Sequence, residues 1–150
     1  VTMTVIDDYF AVEPILVGHI QNAMSDDLSE VNTPFTIEDM LQAANNTPSI
    51  SVIYFDDRVG DSAGNGKITS IYQQWLIVLC LQDAEAQLQN TNSIRKTADP
   101  FIRKLLDTLQ GFDPKVKGYR PFKRTNCPVR IGGQSSFAYF PFLFETQIFT

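Results

Sequence analysis

Asp56-Asp57-Arg58-Val59-Gly60-Asp61-Ser62-Ala63-Gly64-Asn65-Gly66-Lys67, followed by Ile68-Thr69-Ser70-Ile71-Tyr72-Gln73-Gln74 and the apolar run Trp75 to Leu81, is the stretch on which the fold turns. A polar, Gly-rich segment stands here between two β-prone apolar ones, Ile50 to Phe55 and Trp75 to Leu81. That pattern predicts a β-hairpin with an extended arm around a flexible, hydrated loop. Both apolar segments are apolar on both parities, so they read as central strands covered on two faces or by a neighbouring subunit. Residues 68 to 74 alternate weakly and carry the second strand beyond that core.

Outward from the hairpin, Pro14 suits the first turn of a helix that starts loosely after Ile6, and Leu16, Ile20, Ala23 and Met24 form one apolar stripe. A second helix follows Thr36 as N-cap, with Ile37, Met40, Leu41 and Ala44 on one side and Phe35 placed to close on Met40 as a hydrophobic staple. The third has Asp99 as cap, Pro100 as first residue, Ile102, Leu105, Leu106 and Leu109 as its buried face and Gly111 as its stop. Between strand and helix, Asp83 to Leu88 can hold a little helix before a polar, mobile stretch at Asn90, Thr91 and Asn92. After a basic loop, Val129 to Ile131 reads as a short strand, Gly132-Gly133 as a turn and Phe137 to Phe149 as a long terminal strand. Its even residues Phe140, Phe142, Phe144 and Ile148 line one face, and Tyr139, Pro141, Glu145 and Gln147 look outward. Pro141 lacks an amide donor, which places that strand at an edge or at a bulge.

These patterns describe a single α/β or α+β domain over residues 1–150, a mixed, mostly antiparallel sheet with about three helices on one face. A chain of 150 residues is long enough to bury a core without staples. Charge is uneven: residues 1 to 111 hold 15 of the 17 acids and 6 of the 12 bases, whereas residues 112 to 150 hold six bases and two acids. Eleven Phe and five Tyr are many for this length, and seven of these rings lie from Phe122 onward, so the C-terminal part must bury aromatic surface somewhere. The start shows no signal-peptide pattern and no apolar run approaches a membrane span, which points to synthesis in a cytosol. Cys80 and Cys127 have no CxxC partner, and the pattern favours reduced thiols over a disulfide between them.

Catalytic and cofactor chemistry finds no footing. Five residues rather than four separate Gly60 from Gly66, and Ile68 stands where a P-loop needs Ser or Thr. A calcium loop from Asp61 would need oxygen ligands where Ala63 and Tyr72 stand. His19 is the sole histidine, lies on the apolar side of its helix and reads as a satisfied core or interface residue. The pairs Asp7-Asp8, Asp26-Asp27 and Asp56-Asp57 are sequence neighbours, which point apart on any regular element. No enzyme, cofactor or metal is expected. Lys115, Lys117, Arg120, Lys123, Arg124 and Arg130, with Tyr119 and Phe122 between them, are the residue types that contact phosphates and stack on bases, although no DNA-binding motif is present.

Five segments together resemble a known family: Ile6-Asp7-Asp8-Tyr9-Phe10, Asp57 to Gly64, Gln74-Trp75-Leu76-Ile77-Val78, Asp99-Pro100-Phe101-Ile102 on to Leu109-Gln110-Gly111-Phe112, and Tyr139 to Thr146. The set is similar to the tail terminator, or tail completion, proteins of Mu-like and related phages and prophages; residues 26 to 35 and 112 to 136 match least. The resemblance implies a structural virion protein at the head-proximal end of the tail, made in the bacterial host cytoplasm. It implies a homo-hexameric ring that caps the tail tube, stops its polymerisation and offers a head-joining surface. The implied partners are further copies, the tail tube protein, neck or head-to-tail connector proteins and non-specific DNA in the channel, with no membrane. Asp56, Asp57, Arg58 and Asp61 are candidates for subunit or tube contacts. Lys115, Lys117, Arg120, Lys123 and Arg124 are candidates for a surface facing the lumen or neck. A head-to-tail connector or tube-associated protein is the alternative, and a separate nucleic-acid-binding module would instead show steeply salt-dependent DNA affinity.

Overall fold

A computed structural model describes residues 4–42, 46–82, 91–134 and 137–150. Among these residues the elements run α1 (Val12–Met24), β1 (Glu30–Asn32), α2 (Ile37–Gln42), β2 (Ser49–Ala63), β3 (Ile68–Gln82), α3 (Thr91–Leu109), β4 (Lys123–Thr125), β5 (Gly132–Gln134) and β6 (Phe137–Phe149). The α+β class and the mixed, mostly antiparallel sheet agree with the sequence reading. Six strands lie in the order β1-β2-β3-β6-β4, with β5 also on β6, and only the β1–β2 pair is parallel.

The hairpin is longer and tighter than expected. Residues 56 to 63, read as flexible loop, continue β2, and the reversal is confined to Gly64-Asn65-Gly66-Lys67. Gly64, Asn65 and Gly66 all have positive φ, a conformation that glycine and asparagine tolerate and β-branched residues do not. Two bulges keep the arm in register, one at Phe55 and one where Gly60 and Asp61 oppose Ser70.

The helices divide between the faces of the sheet. Leu16, Ile20 and Met24 of α1, with Ile94, Ala98, Leu105 and Leu109 of α3, pack on Trp75, Ile77 and Leu79 of β3 and on the even residues of β6. Met40 of α2 packs on the opposite face, against Ile53, Leu76, Val78, Cys80 and Leu143. Two helices therefore cover one face and the third covers part of the other. This second layer explains why β3 is apolar on both parities, why Leu143 is buried, and why Pro141, expected to look outward, is buried too.

Several local expectations change for identifiable reasons. Thr36 does cap α2, its Oγ1 accepting from the Asp39 amide at 3.1 Å. Phe35 does not staple, being 89 % exposed. Helix α1 starts two residues before Pro14 and without a side-chain cap. Helix α3 begins at Thr91 and carries Pro100 in its interior, so neither Asp99 nor Pro100 marks its start. An interior proline costs about 3 kcal/mol, offset here by burial of Ile94 and Ala98, which extend the apolar stripe upstream. Asp99 instead pairs with Arg103 one turn on, at 3.0 Å. Thr91 and Asn92, expected in a mobile stretch, are helical. The short helix from Asp83 to Leu88 lies outside the described residues, as does Asn90.

Toward the C-terminus, Val129 to Ile131 is not a strand and Gly132-Gly133 is not a turn. The short strands are β4 and β5 on either side of that segment, because β6 offers its outer edge to both. Strand β6 is internal, and Pro141 falls in the gap between the residues paired by β5 and those paired by β4. At the C-terminal end of α3, Gly111 has φ 76° and its amide donates to the Phe122 carbonyl at 2.9 Å, which begins the connection to β4.

Candidate interaction surface

The bulge at Phe55 decides which arm residues meet. Before it Tyr54 pairs with Trp75; after it Asp56 pairs with Gln74 and Asp57 with Gln73. The extra residue inverts the alternation, so Tyr54 and Asp57 point to the same, helix-bearing side, while Asp56 and Arg58 point to the other.

Asp57 is accordingly turned inward, where its two carboxylate oxygens accept from the hydroxyls of Tyr9 and Tyr54. Burial, then the Asp57 hydrogen bond and charge, push the Tyr9 phenol up to about 12; the same causes raise Tyr54 further. The Tyr9 carbonyl in turn accepts from Gln73 Nε2 at 2.7 Å and from the Tyr119 hydroxyl at 2.6 Å. Gln73 is fully buried and its Oε1 accepts from Trp75 Nε1 at 3.0 Å. This network clasps the N-terminal segment, the arm and the segment before β4 into one unit.

The opposite face of the arm is polar and carries no helix among the described residues. Asp56, Gln74, Glu145 and Lys123 form one row across β2, β3, β6 and β4. In the next row Arg58 lies beside Tyr72 and Gln147. The Arg58 guanidinium reaches diagonally to Glu145 Oε1 at 3.0 Å and covers the Tyr72 ring at 4.1 Å from its centroid. Glu145 is 12 % exposed and its Oε2 has no hydrogen-bond partner among the described residues. Beyond Arg58, Gly60, Asp61 and Ser70 line an open depression of about 400 Å³.

Of the four arm candidates, then, Asp56 and Arg58 share a face, Asp61 lies exposed at the second bulge on the same depression, and Asp57 belongs to the interior clasp. Glu145, Tyr72, Tyr9 and Tyr54 complete these contacts and were not candidates from the sequence. Arg58 and Glu145 are 87 residues apart, and only strand register joins them.

The basic candidates do not form one face either. Lys115 is exposed with φ 54°, and its amide donates to Asp113 Oδ1 at 2.9 Å. Lys117 pairs with Asp7 at 3.1 Å. Gly118 lets the chain pass the N-terminal segment, since a Cβ there would sit 2.8 Å from Ile6 Cγ2. Arg120 lies over the Phe149 ring at 5.8 Å and Arg124 over Phe142 at 5.1 Å. Lys123 and Arg124 are not loop residues but neighbours in β4, and so point to opposite faces. Arg120, whose amide donates to the Gln147 carbonyl at 3.3 Å, lies with Lys123, Arg124 and Arg130 along the flank beyond β6, whereas Lys115 and Lys117 belong to the segment that packs on the helix-bearing face.

The remaining chemistry is structural. His19 Nε2 donates to the Thr108 carbonyl at 2.9 Å and the ring stacks on Phe112 at 3.7 Å, the satisfied packing its position suggested. Burial pushes the Cys80 thiol up to about 12, which removes it as a nucleophile. No cluster of three metal-ligating side chains exists among the described residues, and none of their helices is long and apolar enough to cross a membrane. No match to a curated protein was found. The family profile for phage tail terminator proteins matches residues 6–150, nearly the whole chain and including both flanks of the sheet. The chain belongs to the phage tail terminator protein family, a family of structural virion proteins and not of enzymes.

Proposed function

We propose that this protein forms a homo-hexameric ring on the head-proximal end of the tail, caps the tube, stops its polymerisation and gives the head a joining surface. The observation that carries this reading is the end-to-end family match over residues 6–150. In the ring, one face repeats the contacts a tube subunit would make and the other accepts no further tube ring, so the mechanism is steric and needs no bond chemistry.

The arm supports such a role. Arg58, Asp56 and Asp61 stand on a two-stranded extension whose polar face carries no helix among the described residues. A rigid, polar, pre-ordered surface loses little conformational entropy on docking. We assign Asp56, Arg58 and Asp61 to contacts with neighbouring subunits or the tube, and Asp57 to holding the arm in place. We assign Lys115, Lys117, Arg120 and Arg124 to a surface facing the lumen or the neck, with tail tube protein, neck proteins and the DNA backbone as the partners they suit; Lys123 points to the opposite face of β4 and is left to contacts between subunits.

Light scattering behind a sizing column tests the ring. A discrete species near six times 16.9 kDa is expected. Tubes grown from the isolated chain would replace this reading with a tube protein. A monomer that also fails to ring in the presence of tails would replace it with a connector that binds the neck.

A further inference from the structure

The sheet is electrically polar from edge to edge. Residues 25 to 66, which supply β1, α2 and β2, hold eight acids and one base. Residues 68 to 82, all of β3 and at the centre, hold no charge, and β6 carries only Glu145. Residues 120 to 134, on the far flank with β4 and β5, hold four bases and no acid. Some of these charges are spent within the molecule, as in Lys104–Asp27 and Arg58–Glu145. Asp56, Asp61, Lys123 and Arg130 are exposed and make no ion pair among the described residues.

Both flanks also end in open strand edges. Strand β1 pairs only Ser49 to Ser51 of β2, so the outer edge of β2 from Val52 to Ala63 has no strand partner among the described residues. On the other side β4 pairs only β6. Open edges present unpaired amides and carbonyls to another chain. A two-fold contact would set each edge against its own copy, acid on acid or base on base; a head-to-tail contact sets acid on base.

We propose that a second copy of this chain docks head-to-tail, the basic β4 flank of one copy lying against the acidic outer edge of β2 in the next. Strand β4 has three residues, so any shared ladder is short and the side-chain charges carry the recognition. The contact is therefore steered electrostatically and weakens with salt. This inference deepens the ring reading and rests on it only for closure at six copies.

Two double charge reversals on exposed positions test it, Asp56→Lys with Asp61→Lys, and Lys123→Glu with Arg130→Glu. The first leaves the open edge of β2, residues 52 to 63, with three bases and one acid, and the second removes two bases from the β4 flank and puts acids in their place. Each alone is expected to weaken self-association about tenfold or more at ~0.05 M salt, with the thermal transition unchanged as the check on folding. Mixed in equal amounts they are expected to assemble again, because the introduced lysines of one variant then meet the introduced glutamates of the other, and the unaltered acids meet the unaltered bases. Variants that keep the parent's oligomer mass overturn the proposal while leaving a ring of six intact. Loss without recovery on mixing overturns it too, as does a parent chain that stays monomeric at low salt. Recovery into an assembly that closes at another number supports the docking mode and removes the hexamer.

Discussion

The two ends of the β2–β3–β6 sheet are built on opposite principles. At the end containing Ser49–Ile53 and Trp75–Leu81, helices lie on both faces and nearly every side chain is buried, including Trp75, Phe140 and Leu76. At the arm end the sheet continues with no helix on its polar face among the described residues, and that face carries Asp56, Arg58, Tyr72 and Gln74. The first end holds the fold by apolar burial; the second displays groups whose worth depends on what docks there. The Asp57–Tyr9–Tyr54 clasp lies where the two meet, so it couples the stability of one to the geometry of the other.

The sharpest way to separate the ends is to remove a buried ring. Trp75→Ala is expected to lower the unfolding free energy by about 3–5 kcal/mol, from lost burial plus a residual cavity, read by denaturant titration. A loss under ~1 kcal/mol would mean that this end is not the core. Next comes the junction. Asp57→Ala leaves two part-buried phenols without their acceptor, and about 1–3 kcal/mol should be lost, with faster proteolysis near residues 56–67 if the arm loosens. An unchanged variant would show that the clasp does not hold the arm.

The junction also predicts a pH dependence. Tyr9 has its folded-state value raised from 10.0 to about 12, and Tyr54 is raised as well. The folded state then keeps protons that the unfolded chain gives up, so their contribution is complete below about pH 10 and is lost as pH rises from there through the folded values. Denaturant midpoints should fall between about pH 10 and 12, and Tyr9→Phe with Tyr54→Phe should flatten that fall. The smallest expected effect is at the exposed ring just before α2. Phe35→Ser, at an 89 % exposed ring, should leave stability within about 0.5 kcal/mol. A larger loss would show that Phe35 is covered in solution, and changed association without changed stability would make it a contact residue.

The arm and the helices show what can be read from a sequence. Thr36 as a cap, the stripe Leu16–Ile20–Met24 and the limits of β6 are local signals, and local geometry obeys them. Pro100 and Phe35 carry equally standard signals that failed, because burial of Ile94 and Ala98 outweighs a proline's cost and nothing draws Phe35 onto Met40. Of the candidate surface, Asp56, Arg58 and Asp61 were legible as exposed polar residues on an extended hairpin. The inward turn of Asp57 was not, since it follows from a single bulge at Phe55. Nor was the split between Lys123 and Arg124, which needs β6 as the partner that makes their segment a strand.

By itself the sequence determined the α+β class, the long hairpin and the family, because these depend on periodicity, residue type and short motifs. Tertiary structure decided the two-sided covering of the sheet, the Arg58–Glu145 and Asp57–tyrosine contacts, and the opposition of an acidic edge to a basic one. Each of these joins residues distant in sequence through strand register, and register is set by the packing of the whole core rather than by any one segment.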